Sequence, residues 1–268
     1  MISLLFIVYE YTVYIKRLME TIYTIPVNDA YSVEDECPLC TLRKKAENNY
    51  LEYYLGPSLM EPDTRIVTNK TGFCPKHMGM LNNLVSNRLG LGLVLHTHLK
   101  DVNEDIIPGL KSAVPPKASL LKGRTDYKAK LNQMADKIDG RVASCPICAK
   151  LDDTMKHYIE VIAYMFAKDP GFRQKFTDTK SHCLPHIASL LRSAANLSQN
   201  EAAEFVGVLA ANNEKAMAEL IADVEWFTLK FDYRNKDKPW GNSKNAIQRS
   251  MRFLSSDRSD FDEQQKSK

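Results

Sequence analysis

The sequence has no excess of charge of either sign and no long hydrophobic run. Its 36 basic and 33 acidic side chains leave a formal net charge of +3, which gives no global attraction to nucleic acid or to an anionic membrane. The apolar stretch Ile2–Val8 is too short for a membrane helix of about 20 residues. It also lacks the basic start and the small-residue cleavage site of a signal peptide. We therefore predict no membrane association and disfavour nucleic acid as the partner.

The sequence also lacks the signatures of common enzyme scaffolds. It contains no phosphate-binding glycine loop, no serine hydrolase elbow and no paired-carboxylate constellation. Residues 22–36 are expected to be extended, and no alternating strand pattern follows them. Apolar residues recur instead at helical spacing, most clearly from Leu151 to Phe166 and from Val206 to Phe231. These patterns predict a mostly α fold with a long C-terminal helix, which a capping-box pair, Ser198 and Glu201, begins.

All six cysteines of the chain belong to four short motifs, and none is left over. Two motifs have the form Cys-Pro-x-Cys, and two have the form Cys-x-x-His. Each motif of the first kind is separated by 33 or 34 intervening residues from the motif of the second kind that follows it. The motifs are Cys37-Pro38-Leu39-Cys40, Cys74-Pro75-Lys76-His77, Cys145-Pro146-Ile147-Cys148 and Cys183-Leu184-Pro185-His186.

The two halves of this pattern match each other beyond the motifs. A shift of 108 positions aligns Tyr50 with Tyr158 and Pro62 with Pro170. Internal similarity of this kind marks a repeated structural unit. We therefore predict two duplicated helical units, with helix breakers at Pro108-Gly109 between them. The predicted domains are an N-terminal extension (1–18), a first repeat (19–110), a connector (111–140), a second repeat with the long helix (141–254) and a disordered tail (255–268). An ordinary N-terminal element that packs on the core is the alternative for residues 1–18.

Each repeat offers three thiolates and one imidazole, a ligand set that Zn²⁺ binds tetrahedrally. Four protein ligands leave no open position for substrate or water, which is typical of a structural site. Iron is the lesser alternative, because thiolate-rich tetrahedra also suit it. We predict two Zn²⁺ ions per chain, one in each repeat. The predicted ligands are Cys37, Cys40, Cys74 and His77 for one ion and Cys145, Cys148, Cys183 and His186 for the other.

Other uses of the cysteines explain the pattern less well. Three disulfides would suit a secreted protein, but they give no reason for histidines at matched positions. Cys-Pro-x-Cys also occurs in thioredoxin-like redox proteins, yet their α/β context is missing, and the third cysteine and the histidine would stay unexplained. Because metal-bound thiols must stay reduced, we predict that the protein is cytoplasmic. A zinc switch that releases its ion on oxidation stays open.

Two further groups of residues are candidates for function. His182 adjoins Cys183 and competes as a ligand, but His186 is preferred because it matches the first repeat. The polar loop that follows the long helix contains Tyr233, Arg234 and Trp240, which can bind an anion or a protein partner, since arginine and aromatic residues are enriched at binding hot spots. The alternative, which we favour, is a loop that ends the helix and packs its tryptophan on the core.

The two motif pairs, the opening Ile22–Val27 and the segment Phe231–Gly241 resemble an uncharacterised bacterial family. That family is a domain of unknown function found largely in anaerobic Firmicutes. The resemblance runs from about Met19 to Leu254, so residues 1–18 lie outside it. It supports metal binding, but it implies no activity, because the family has none to carry over.

These observations lead to one functional prediction and two alternatives. We predict a cytoplasmic zinc protein whose two Cys₃His sites are structural, and which acts as a binding or scaffold module for an unknown protein or a small anionic ligand. The first alternative is an enzyme with a cleft that the sequence does not reveal. The second is a zinc-dependent regulator that binds nucleic acid, which the balanced charge weakens.

Overall fold

The chain is almost entirely helical wherever its structure is described. The computed structural model contains no strand within the described ranges, which confirms the prediction of a mostly α fold. None of the helices there is long and apolar enough to cross a membrane. The predicted N-terminal extension and nearly all of the predicted tail lie outside the description. The described residues are 22–33, 37–84, 87–115 and 127–256.

The helices are numbered here in chain order. Short 3-10 helices lie before α3 and on both sides of residues 236–240, at Pro57–Met60, Tyr233–Asn235 and Gly241–Asn245. The helices are α1 (residues 22–30), α2 (Pro38–Leu55), α3 (Pro62–Thr71), α4 (Pro75–Asn83), α5 (Arg88–Ala113), α6 (Tyr127–Ala143), α7 (Pro146–Lys168), α8 (Pro170–Asp178), α9 (Leu184–Ala194), α10 (Gln199–Leu229) and α11 (Ala246–Ser255).

These helices form two compact units. The central unit comprises Lys45–Asp153, and the terminal unit takes the described residues on both sides of it. Helices α2 and α7 each contain a boundary between the units. Each unit therefore draws residues from both of the sequence segments that carry the motifs.

The long helix α10 organises the terminal unit. It has 31 residues and begins with the predicted capping box. The Ser198 hydroxyl accepts a hydrogen bond from the amide of Glu201, whose carboxylate accepts one from the amide of Ser198 at 3.1 Å. Both helix-end amides are thus satisfied. Helices α8, α9 and α11 pack against α10.

The core of the terminal unit is an aromatic cluster. Phe176 is fully buried, and its ring stacks on Phe205 with centroids 4.7 Å apart. Phe166 meets the same ring edge-on at 5.2 Å. Tyr31, just after α1, stacks on it from the N-terminal side at 5.8 Å. This cluster joins three helices and the end of α1 around one ring.

The extended conformation predicted for residues 22–36 is wrong, because residues 22–30 are helical. The β-branched and aromatic residues there favour strands, but such propensity is a weak preference that tertiary packing overrides. Tyr23, Val27 and Tyr31 recur at a spacing of four, which places them on one face of a helix. Val27 and Tyr31 are buried. Burial of this face therefore determines the local structure.

The central unit is built from α3–α6 with the adjoining parts of α2 and α7. Helix α5 packs along α3, α4 and α6. Its main core gathers residues from the end of α2, from α4 and α5, and from the start of α7. The buried members of this core are Leu51, Tyr54, Leu55, Phe73, Leu81, Leu91, Val94, Cys145 and Ile147.

The helix break predicted at Pro108-Gly109 is wrong, because α5 continues through both residues. An interior proline removes one hydrogen bond and crowds the preceding turn. At this point, however, α5 packs closely on α6. A Cβ added at Gly109 would lie 2.8 Å from the Met134 sulfur, and Ile106 and Ala113 are buried with Met134 in one cluster. This contact holds the helix together across the proline.

We expect Phe176→Ala to destabilise the terminal unit strongly. Truncation of a fully buried phenylalanine costs about 3–5 kcal/mol, because apolar burial is lost and a cavity remains. The exposed Phe231, 75% accessible, provides the control, and Phe231→Ala should change the free energy of unfolding little. Urea denaturation followed by circular dichroism measures both. Equal effects of the two substitutions would contradict the central role of the Phe176 ring.

Candidate metal centres

Each of the four Cys/His motifs lies at the start of a helix. Cys74 and Cys183 are the N-cap residues of α4 and α9, and Cys37 and Cys145 immediately precede α2 and α7. A proline at the first or second helical position suits a helix start, because its fixed φ is helical and its missing N–H is not needed there. The second ligand follows three residues later on the same side of the first turn. Both ligand atoms of a motif therefore project in one direction.

The structure gathers the four motifs into two clusters, one within each unit. In each cluster, the four ligand atoms lie within 4.8 Å of one another. All eight predicted ligands are present, in groups of three cysteines and one histidine. Centre A, in the terminal unit, contains Cys37, Cys40, Cys183 and His186, and centre B, in the central unit, contains Cys74, His77, Cys145 and Cys148.

The predicted grouping of the ligands, with one site closed inside each repeat, is wrong. Each Cys-Pro-x-Cys motif meets the Cys-x-x-His motif of the other sequence segment. Helix lengths give the physical reason. The 18 residues of α2 carry the chain about 27 Å from its first cysteines, and the 10 residues of α3 return only about 15 Å. The 23 residues of α7 span about 35 Å, and the nine of α8 only about 14 Å.

The spacing in centre A fits a single tetrahedrally bound ion. The Cys183 sulfur lies 3.8 Å from that of Cys37 and 3.6 Å from that of Cys40. The His186 Nδ1 lies 3.5 Å from both of those sulfurs and 3.0 Å from that of Cys183. A tetrahedral Zn²⁺ with Zn–S of about 2.3 Å and Zn–N of about 2.0 Å places sulfurs about 3.8 Å apart and nitrogen about 3.5 Å from sulfur. A disulfide would require about 2.05 Å.

Centre B has the same arrangement, and its histidine nitrogen is spaced more evenly from the three sulfurs. The His77 Nδ1 lies 3.3 Å from each of the three sulfurs. The sulfurs of Cys74 and Cys148 are 3.7 Å apart. All six cysteines are free thiols. Both clusters thus have a donor set and a spacing that can hold a metal ion.

Comparison with known proteins identifies the family of the chain. The chain matches the group described as "Family of unknown function (DUF6062)" over residues 18–261. The chain belongs to this family. It is also 23% identical over 202 residues to the "Uncharacterized 23.9 kDa protein in xynA 3'region" of Caldicellulosiruptor sp. (strain Rt8B.4), an alignment that covers 75% of this chain and 85% of that protein. No solved structure matches the chain. The resemblance to an uncharacterised bacterial family is therefore confirmed.

The thiols of this family member cannot all ionise easily in centre A. Hydrogen bonds from the thiols of Cys37 and Cys40 lower the pKa of Cys183 to about 4. The pKa of Cys40 is raised instead, because Cys183 and Cys37 share hydrogen bonds with its sulfur and because it is buried. Sulfurs at these distances repel one another once they are charged. A bound dication would remove the conflict, since metal ligation deprotonates thiols outright.

In centre B too, the pKa of one thiol is lowered and that of another is raised. Burial opposes ionisation of Cys145, but hydrogen bonds from His77 and from backbone amides outweigh it and lower the pKa of this thiol to about 6. Burial and the charge of Cys145 raise the pKa of Cys148 to about 12. Burial also opposes the charged form of His77, yet hydrogen bonds to Cys145 and Glu47 raise its pKa to about 10. Metal binding at Nδ1 would displace one of these protons.

Glu47 is a component of centre B that sequence reasoning missed. Its carboxylate lies 3.0 Å from His77 Nε2 and 3.0 Å from Lys76 Nζ, and the residue is 7% exposed. Burial works against its charge, but these two partners lower the pKa of the carboxyl group. A carboxylate that holds the far nitrogen of a ligating histidine fixes the orientation of the ring. The only sequence signal is an acidic residue on a buried face of α2, and the aligned residue of the other segment is Met155.

His182, the competing ligand, does not join centre A. Its ring is fully buried and stacks on Phe176 with centroids 5.3 Å apart. Its Nε2 lies 2.9 Å from the Tyr31 hydroxyl. Burial lowers the pKa of this histidine to about 4, so it is neutral at pH 7. The preference for His186 agrees with the cluster that the structure forms.

The loop after α10 is organised by Lys230, which sequence reasoning also missed. Its buried ammonium group donates hydrogen bonds of 2.6–2.8 Å to three loop carbonyls and lies 5.2 Å from the Trp240 ring. The Arg234 guanidinium pairs with the Asp232 carboxylate, and Tyr233 is exposed. Most of the charge on Arg234 is thus already matched within the loop. Partner binding by these residues stays a prediction.

We expect Glu47→Ala to weaken the binding of one metal ion of two. Loss of a hydrogen-bond partner of a ligating histidine typically lowers metal affinity about 10–100-fold, and here it would act on centre B alone. Glu52 lies on the same helix but is exposed, so Glu52→Ala is the matched control. Competition with a chromophoric chelator measures both affinities. Unchanged metal release by Glu47→Ala, or equal losses in the two variants, would contradict this role.

Proposed function

We propose that the chain binds two Zn²⁺ ions, one in centre A and one in centre B, as structural ions of a helical binding module. The observation that carries this proposal is the spacing of the donor atoms, 3.6–3.8 Å between sulfurs and 3.0–3.5 Å between sulfur and nitrogen. Three thiolates and one imidazole at tetrahedral spacing favour zinc over harder cations, which prefer oxygen ligands. Iron is the lesser candidate.

The structural role follows from the number of ligands. Four protein ligands complete a tetrahedron, so no position is left for a substrate or an activated water molecule. Three thiolates and one dication carry about one net negative charge, and the helix N-termini that present the ligands stabilise such a charge. Centre A would tie the start of α2 to the start of α9, and centre B the start of α4 to the start of α7.

The free energy of metal binding would contribute directly to the free energy of folding. Centre A joins residues 143 positions apart, and centre B joins residues 74 positions apart. Closure of long loops is entropically costly in the unfolded chain. A structural zinc ion contributes about 10–16 kcal/mol in small zinc domains at pH 7, which is comparable to the total stability of a domain. We therefore infer that each unit requires its ion.

The compartment and the partner are part of the same proposal. Metal-bound thiols need a reducing environment, and free thiols at all six cysteines agree with the cytoplasm. The closed ligand sets favour a binding or scaffold role over metal-based catalysis. The partner class that we propose is a protein or a small anionic ligand.

Double substitutions can test the pairing of each Cys-Pro-x-Cys motif with the Cys-x-x-His motif of the other sequence segment. Cys40→Ser with Cys183→Ser removes two ligands from centre A alone, so the double variant should retain one zinc ion per chain after dialysis against a chelator. Cys40→Ser with Cys74→Ser damages both centres and should retain none. Native mass spectrometry counts the ions, and elemental analysis identifies the metal.

The wild-type chain, with two zinc ions, is the control for this count. Pairing within each sequence segment would reverse the result, so that the Cys40 and Cys74 double variant would keep one ion and the Cys40 and Cys183 double variant none. A folded wild-type protein without metal would overturn the proposed function itself.

A further inference from the structure

A cavity of about 190 Å³ lies beside centre A within the terminal unit. Its wall includes the three cysteines of that centre. One ordered water molecule needs only about 10–15 Å³ of such space, whereas pockets for drug-sized ligands measure about 300–1,000 Å³. The cavity therefore suits a small molecule and is too small for a nucleotide or a peptide segment.

Basic side chains predominate among the charged residues that line this cavity. Arg249 and Arg252 enter from α11, three residues apart on one helical face, and both are half-buried. Lys180 lines it from the segment before centre A, and Glu219 is its acidic lining residue. Three basic side chains thus line the cavity with one acidic side chain. The Asp223 carboxylate, which pairs with Arg249, does not line it. The cavity is thus suited to an anion.

Arg249 is held in position before any ligand arrives. Its Nη2 donates to the Asp223 carboxylate and, at 2.9 Å, to the carbonyl oxygen of Asn242. Its Nε donates to the side-chain oxygen of Asn245 at 3.1 Å. A guanidinium group fixed in this way loses little conformational freedom when it binds a ligand. Such preorganisation is typical of binding sites for carboxylate and phosphate groups.

One part of the cavity wall is apolar. Leu220 of α10 and Phe253 of α11 are buried, and Ala216 lies one helical turn before Leu220. Water has few partners along these side chains, and the low local polarity strengthens charge interactions with the arginines. An apolar wall with a few convergent polar groups is the usual composition of a small-molecule site.

We propose that this cavity binds a small oxyanion of the carboxylate or phosphate class. The positively charged guanidinium groups of α11 recognise the oxygens, since hydrogen bonds between arginine and an oxyanion are charge-assisted. The volume of about 190 Å³ excludes larger ligands. This assignment goes beyond the proposed metal binding and deepens the ligand part of the proposed function, because the two arginines and the apolar side chains belong to α10 and α11 rather than to the metal ligands.

Isothermal titration of the full-length, metal-loaded chain with inorganic phosphate and with malonate tests the proposal. We expect saturable binding of at least one probe, with one molecule per chain and an affinity that falls as salt is raised. The probe that binds more tightly identifies the class of oxyanion. Arg252→Gln should weaken binding about tenfold or more, because a hydrogen bond to a charged group is lost. Ala216→Phe should abolish binding by filling the space without changing the charge.

Two further variants make the test decisive. Arg192 is exposed on α9 and does not line the cavity, so Arg192→Gln should bind the probes like the wild type. Lys180→Gln changes an exposed residue of the lining, so weaker binding by this variant supports the assignment even if Arg252→Gln fails to fold. Absence of saturable binding in the wild type overturns the proposal, as do equal losses in Arg192→Gln and Arg252→Gln. Metal counting on the same samples separates this result from any failure of the zinc assignment.

Discussion

Mutual repulsion among three closely spaced sulfur atoms is the constraint on which both units depend. In each centre, burial and neighbouring sulfurs allow one thiol to ionise while another is held protonated, as the opposite shifts in the pKa of Cys183 and Cys40 indicate. A dication relieves this conflict and supplies the bonds that hold the helix starts together. The same cluster without a cation would place buried, incompatible charges at the junction of distant chain segments. Metal binding and folding are therefore one process in our proposal.

The exchange of partners between the two sequence segments makes this folding process strongly non-local. Centre A forms only when the beginning and the later part of the described chain meet, because Cys40 and Cys183 are separated by 143 positions. The aromatic cluster around Phe176 provides the remaining cohesion of the terminal unit, since Tyr31 brings the end of α1 onto the ring of α8. Long-range contacts of this kind stabilise the fold only after the chain has lost much conformational entropy. A metal bond of high energy is well suited to offset that loss.

Sequence reasoning identified the eight residues that form the two clusters but not how they are grouped, and the reason is geometric. Six cysteines and two histidines in four equivalent motifs define the donor set, because residue type and spacing within one helical turn determine which atoms project together. Which motif meets which depends on the lengths of α2, α3, α7 and α8, and these lengths are set by helix ends that the sequence indicates poorly. Glu47 contacts His77 and Lys76 from a different helix, and Lys230 contacts three carbonyls of the loop that follows it. Neither set of contacts leaves a periodic signal in the sequence. The helical state of residues 22–30 depends on the burial of Val27 and Tyr31, which outweighs local β propensity.

The two centres have the same types of ligand but differ in what surrounds them. In centre B, the buried carboxylate of Glu47 contacts both His77 and the exposed Lys76, and such a contact orients the histidine ring. The corresponding position in the other segment is the apolar Met155, so this contact is not duplicated there. Centre A instead faces a cavity with basic and apolar walls. Half of the residues that line that cavity belong to α10 and α11, and these helices follow the matched motifs in the sequence. In our proposal, helices added to a framework that metal ions hold together thus supply a ligand site, while the metal ligands themselves stay the same.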